Sequence, residues 1–326
     1  MQSYSRNHTY QRQGERLPVA NSNKKKLVVR FGAVLVVVLV AAVGGFQLFG
    51  GKNSNNPNAS KLVSPQVASA STTKEEEPKK DELQKPASIS GNLPKRNINL
   101  APLQPDLAAI IKKYPYTTSI TVVDINTGNA VQAGDSYPFI AASTTKLLTV
   151  MLFMNNVEAG LDDLDNQVGT KTAKEQMQLA INKSDNEAWA ALNEQLGKES
   201  LANYAKKQGL ESYDVNRNTI TSNDMAKLLG RFYSRQILNE EHTRLILSWM
   251  QNTSEERFIP PAIPTTNTLF HKAGYLSDRA HDVAIVDNGD APYGIVIYSK
   301  TNTNYDFQIG QKLFKELTTR VVTTFK

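Results

Sequence analysis

The feature that most limits what this 326-residue chain can become is an apolar run near its N-terminus. From Phe31 to Phe49 the only clearly polar side chain is Gln47. As a helix the run would measure about 28 Å, close to the ~30 Å hydrocarbon core of a bilayer. Lys24, Lys25, Lys26 and Arg30 precede it and only Lys52 follows closely. The positive-inside rule then predicts a basic cytoplasmic segment over 1–26, a transmembrane signal anchor over 27–49, and everything later outside the cell membrane. The alternative is a cleaved signal peptide, with Ala41-Ala42 as a weak cleavage site. The long basic head and an apolar run beyond the usual ~7 to 15 residues favour the anchor.

The formal net charge of +6 raises the question of a nucleic-acid partner, and the location of the charge answers it. Residues 1–30 hold seven bases and one acid, which leaves 30 bases against 30 acids for the remainder. No basic face is left to track phosphates, so no nucleic-acid partner is expected. The chain has no cysteine, which removes thiol nucleophiles, disulfides and Cys-based metal sites. Its four histidines (His8, His242, His271, His281) show no short ligand spacing. Neither a metal nor a cofactor is expected.

Residues 50–104 are rich in Asn, Ser, Lys, Glu and Pro without a sustained apolar period, and read as a disordered extracytoplasmic linker. As a flexible coil it would reach roughly 40 Å. Residues 105–326 read as one folded domain. The spacing predicts a helix over 106–114, a strand over 117–124, and a turn at Asn126-Thr127-Gly128-Asn129 leading into a strand over 130–132. Helical patterns follow at 143–157, 171–183, 186–197, 199–208, 222–234 and 239–251. Strands return at 268–274, 280–287 and 292–300, and 306–325 closes as a helix. Strands at both ends of a helical centre predict an α+β fold, a sheet assembled from distant segments.

Ser143-Thr144-Thr145-Lys146 opens the most apolar of these helices, where a serine and a lysine three apart share one face. The pattern alone is common: Ser22 to Lys25 and Ser71 to Lys74 match it too, the second with the same residues. Only the Ser143 helix can bury its lysine. A lysine near 10.4 must fall by about three pH units to act as a base at neutral pH, roughly 4 kcal/mol, which calls for burial plus a neighbouring cation. Ser184-Asp185-Asn186 lies between two helices and Lys272-Ala273-Gly274-Tyr275 at a strand end. Each taken alone reads as a helix cap or a plain strand end.

In this order, S-x-x-K, S-D-N and K-[TS]-G, read here as K-A-G, form the signature of class A β-lactamases and penicillin-binding proteins. Residues 106–326 resemble the class A β-lactamase catalytic domain. The stretch from Phe139 to Lys146, followed by Val157-Glu158-Ala159-Gly160, is similar to that family's nucleophile region. Lys272-Ala273-Gly274 followed by Arg279-Ala280-His281-Asp282 is similar to its strand-turn-strand. The resemblance implies a β-lactamase/transpeptidase-like fold, an antiparallel sheet with a helical subdomain. It implies Ser143 as acylated nucleophile, Lys146 as proton acceptor or relay, Ser184 as shuttle to the leaving nitrogen and Asn186 as brace. Lys272 would supply charge near a substrate carboxylate, and the amides of Ser143 and Tyr275, beside Gly274, would form the oxyanion hole. Arg279 is a candidate for carboxylate binding, against an ion pair near Asp278 and Asp282.

Two departures qualify the resemblance. Ala273 lacks the hydroxyl that family members aim at the substrate, and the loop over 209–221 is short. It offers Glu211 as candidate deacylation base, but no asparagine four residues later. The expected partner is a β-lactam or peptidoglycan-type small substrate, and the sequence says nothing of oligomeric state. The leading expectation is an anchored serine hydrolase. The alternatives are a D-alanyl-D-alanine peptidase or other cell-wall hydrolase, and a non-catalytic wall-binding domain that retains the pocket.

Overall fold

The structure is a computed structural model and describes residues 95–326. The expected basic segment, the expected transmembrane anchor over 27–49 and the expected linker up to residue 94 lie outside the described residues. Among the described residues no helix is long and apolar enough to cross a membrane.

In chain order the elements are α1 (Leu103–Ile111), β1 (Thr117–Asp124), β2 (Ala130–Gly134), β3 (Phe139–Ile140), α2 (Lys146–Glu158), β4 (Gln167–Val168), β5 (Lys171–Thr172), α3 (Ala173–Gln178), α4 (Asn186–Leu196), α5 (Lys198–Lys207), β6 (Thr219–Ile220), α6 (Ser222–Tyr233), α7 (Glu240–Trp249), β7 (Thr268–Leu276), β8 (Arg279–Asp287), β9 (Tyr293–Lys300) and α8 (Phe307–Thr324). Five strands form one antiparallel sheet in the order β2-β1-β9-β8-β7. The first hairpin thus pairs with the last strands of the chain, the α+β arrangement the pattern predicts.

The sheet has helices on both faces, so β8 is buried from end to end although Arg279, His281, Asp282 and Asp287 interrupt its apolar residues. On the front face Val123, Phe270, Val283, Val296 and Tyr298 pack with α2, α6 and the other central helices. On the back face Ile120, Val122, Ala284, Ile295 and Ile297 pack with Leu103, Leu107, Phe314 and Leu317 of α1 and α8. The first nine residues of α2 are all buried, so it is the central helix of the front layer.

Some boundaries differ from expectation for local reasons. Residues 96–104, assigned to the linker on composition, belong to the folded body. Arg96 donates to the carbonyls of Phe325 and Lys326 at 2.8 and 2.7 Å, and Leu100 is buried. Ile98, Leu100, Ala101 and Leu103 are too few to show a sustained period. The helix expected over 171–183 starts at Ala173, where Thr172 and Glu175 form a reciprocal cap, and gives way after Gln178 to a π-helical turn over Leu179–Lys183. The helix expected from Ser143 begins as a 3₁₀ turn, Ala142–Thr145. The two-stranded pairs β3-β6 and β4-β5 are too short for periodicity to announce.

Candidate active site

The Ser143 turn rests on strand β7 at a point where only glycine fits. A Cβ at Gly274 would lie 2.6 Å from the Ser143 amide nitrogen and 3.1 Å from that of Thr144. Residues three apart eclipse in a 3₁₀ turn, so Ser143 and Lys146 keep a common face despite the altered helix start. The half-buried Ser143 hydroxyl has no hydrogen-bond partner among the described residues. Beneath the turn, buried His281 donates Nε2–H to the Ile140 carbonyl at 2.9 Å and accepts the Ser299 amide on Nδ1 at 3.2 Å. These two bonds fix the neutral tautomer, and burial holds its pKa down at about 4.

Ser184 is brought to the site by an unusual helix ending. The π-helical turn stops at Ser184, whose φ of 57° and ψ of 28° are left-handed. Such a conformation in a non-glycine residue persists only where its surroundings hold it. Asp185 then caps α4 by accepting the Ala188 amide at 2.9 Å, leaving its neighbours free for other work. Lys146 Nζ donates to the Ser184 carbonyl at 2.5 Å and to Asn186 Oδ1 at 2.7 Å, and stands 3.5 Å from Ser184 Oγ. Lys272 Nζ donates to Ser184 Oγ at 2.9 Å and to the Ala273 carbonyl at 2.8 Å. The Ser184 hydroxyl therefore sits between two ammonium groups. The third motif and the second, 88 residues apart, meet at one oxygen.

Burial lowers the Lys146 pKa to about 8, with Asp185 opposing the fall. Lys272 is pushed down to about 7 by burial and then by the charge of Lys146. The sequence argument gives the cation's help to Lys146; in the structure Lys272 is the lysine most lowered. The open side of Lys146 is covered by the Trp189 ring, whose centroid is 5.5 Å from Nζ. Trp189 is held by its Nε1–H, which donates to Thr149 Oγ1 at 2.9 Å.

The remaining candidates fall into two groups. Leu276 is the register partner of Arg279, so Arg279 lies on the same sheet face as Lys272 and Gly274. Its guanidinium is nevertheless committed to Asp278, through bonds of 2.8 and 2.5 Å. Tyr275 is half-exposed at the strand end, with Arg257 5.0 Å above its ring. Glu211 is exposed and has no hydrogen bond or ion pair among the described residues, so the structure does not bring it to the others. Ala273 packs into the back-face core and does not line the Ser143 side of β7. Sequence reasoning misses Asn218, which bonds to the Ser143 turn, and Trp189. Neither carries a motif, and an asparagine near a loop end is the only faint signal for the first.

The β-lactamase enzyme family model matches residues 102–325. No curated protein matches the chain. Among solved structures, PBP-A aligns with a TM-score of 0.63 at 24% identity, over 72% of this chain and 98% of that one. A class A β-lactamase from the last common ancestor of Gram-negative bacteria aligns with a TM-score of 0.64 at 21% identity, over 69% of this chain and 100% of that one. A point mutant of PBP-A, an acyl-enzyme complex with penicillin G, aligns with a TM-score of 0.63 at 23% identity, over 72% of this chain and 98% of that one. These likenesses describe an α+β fold of the β-lactamase/transpeptidase type. Matched over residues 102–325, the chain belongs to the β-lactamase enzyme family.

Proposed function

We propose that the protein is a membrane-anchored, extracytoplasmic serine hydrolase of the class A β-lactamase type, acylated at Ser143 by β-lactams or related cell-wall amides and slow to deacylate. The observation that carries this is the cluster of Lys146, Lys272 and Asn186 around Ser184, beside a serine turn lying directly on Gly274. A lysine titrating at about 8 is roughly one-tenth neutral at pH 7, enough to serve as a base. Ser143 Oγ bonds the substrate carbonyl carbon as its proton passes to Lys146 Nζ. When the C–N bond breaks, the leaving nitrogen takes a proton from Ser184, which recovers one from Lys146. Asn186 holds Lys146, and Lys272 supplies charge beside Ser184. The amides of Ser143 and Tyr275 would receive the oxyanion, where one donor is typically worth about 10² to 10³ in rate. Arg279 would meet a substrate carboxylate only by sharing or leaving Asp278.

Deacylation needs a base-activated water. Among the described residues no carboxylate hydrogen-bonds to Lys146, and an indole ring covers it instead. That observation favours a second reading, a penicillin-binding peptidase that holds its acyl group. The anchoring rests on the basic head and the apolar run over 31–49.

The test is incubation of the full chain with a fluorescent penicillin, followed by intact mass and a hydrolysis assay. The expected result is a near-stoichiometric adduct on the peptide containing Ser143, with turnover at least ~100-fold slower than acylation. Rapid turnover without an adduct would overturn slow deacylation. No adduct and no turnover would leave a wall-binding domain.

A further inference from the structure

The loop over 209–221, where the family resemblance directs the search for a water-activating glutamate, delivers a different group to the nucleophile turn. Strand β6 pairs with β3, Phe139 opposite Ile220 and Ile140 opposite Thr219, so Asn218 arrives opposite Ala141. From there this one residue makes three bonds. Its carbonyl accepts the Ala141 amide at 2.8 Å, its Nδ2 donates to the Ala142 carbonyl at 2.9 Å, and its Oδ1 accepts from Thr145 Oγ1 at 2.5 Å. The bonds bracket Ala142 on both sides, and Ala142 has a φ of 50°. Alanine does not adopt that conformation unless its surroundings impose it. Asn218 is itself left-handed, with a φ of 51°, a conformation asparagine tolerates better than most residues. The next residue is Ser143, pressed against Gly274.

We propose that Asn218 is a positioning residue for Ser143: it holds Ala142 in the left-handed conformation and so sets the direction in which the Ser143 hydroxyl and amide face strand β7. The inference rests on the reading of Ser143 as the nucleophile. Asn218 carries no charge and both ends of its amide are occupied, so it acts through Ala142 and Thr145 and not on the substrate. The short loop thus ends as a clamp on the nucleophile turn.

The test separates positioning from stability. In the full chain, Asn218→Gly keeps the left-handed conformation accessible but removes both side-chain bonds. Gln176→Ala removes a more deeply buried amide, which donates to the Val168 carbonyl at 2.6 Å away from the Ser143 turn. With a fluorescent penicillin, the acylation rate constant of Asn218→Gly should fall about 10 to 100-fold while pre-covalent binding stays within about threefold. Gln176→Ala should lower the melting temperature and leave both constants within about twofold. Thr145→Val should reproduce part of the Asn218 loss, and Thr145→Ser, which keeps the hydroxyl, should restore it. Asn218→Gly acylating within about twofold of the native chain, or losing rate only in proportion to unfolded protein, would overturn the proposal. If the native chain is not acylated at all, the proposed function fails separately. Amide hydrogen exchange then decides the clamp: faster exchange at Ser143 and Thr144 in Asn218→Gly than in Gln176→Ala supports it, and unchanged protection refutes it.

Discussion

The two faces of the five-stranded sheet each bury a histidine, and they treat it in opposite ways. On the front face His281 bonds a carbonyl and an amide beside the rings of Phe139 and Tyr298, with the opposed charges of Arg279 and Asp278 near it, and burial holds it neutral, with a pKa of about 4. On the back face burial works in the same direction on His271, but two carboxylates outweigh it. Asp282 stands 3.0 Å from Nδ1 and Glu256 3.1 Å from Nε2, and the pKa rises to about 9. The lysines follow the front-face rule, since Lys146 and Lys272 are lowered and neither is paired with a carboxylate. The back face compensates its histidine's charge and is scaffold; the front face leaves its two site lysines without a carboxylate partner, which is the condition for moving protons near neutral pH.

The sharpest way to break this contrast is Ser143→Ala. Covalent labelling by an acylating penicillin should vanish, while stability changes by less than about 1 kcal/mol because the hydroxyl has no hydrogen-bond partner among the described residues. Labelling that survives would remove the front face's claim to chemistry, and Ser71→Ala serves as the matched control. On the back face, Asp282→Asn leaves His271 with Glu256 alone and should destabilise the fold by about 3 kcal/mol in urea titration. Acylation by the protein that remains folded should change little, and a parallel loss would mean that the two faces are not separable.

A pH series tests the histidines directly. Below about 6.5 the unfolded chain takes up a proton that folded His281 refuses, so stability should fall between pH 6.5 and about 4. Folded His271 keeps its proton up to about 9 while the unfolded chain releases it near 6.5, so stability should also fall as pH rises through that window. Each limb is worth roughly 3 kcal/mol, and His281→Gln or His271→Gln should flatten the acid or the alkaline limb respectively. The smallest effect concerns Trp189. A ring over an ammonium stabilises the charged form by ~0.5 to 1 kcal/mol, so Trp189→Leu should move the acid limb of the acylation profile down by less than about one pH unit. An upward shift would show that the ring acts by excluding water.

How much of this was readable in advance depended on distance along the chain. Ser143 with Lys146 is a local pattern whose geometry follows from helix spacing. The sheet's alternation and the burial of α2 were likewise visible in the apolar periods. Asn218 reaches a carbonyl 76 residues away and His281 one 141 residues away, and no local rule connects such pairs. The left-handed Ala142 is the extreme case, because alanine is a residue that gives no warning of such a turn. The loop over 209–221 was legible as short, while its end as a clamp depended on two-residue strands below the reach of periodicity.

The chain has two tryptophans, and their placement makes the protein its own optical reporter. Trp249 is fully buried in the front-face core, so its emission should stay blue and constant while the fold holds. Trp189 is partly exposed and stands over Lys146, where a change in the ammonium's charge or the arrival of an acyl group alters the local field and the quenching. Occupancy of the site should therefore be visible in the unlabelled protein as a fluorescence change from a single indole, in real time and without a chromogenic substrate.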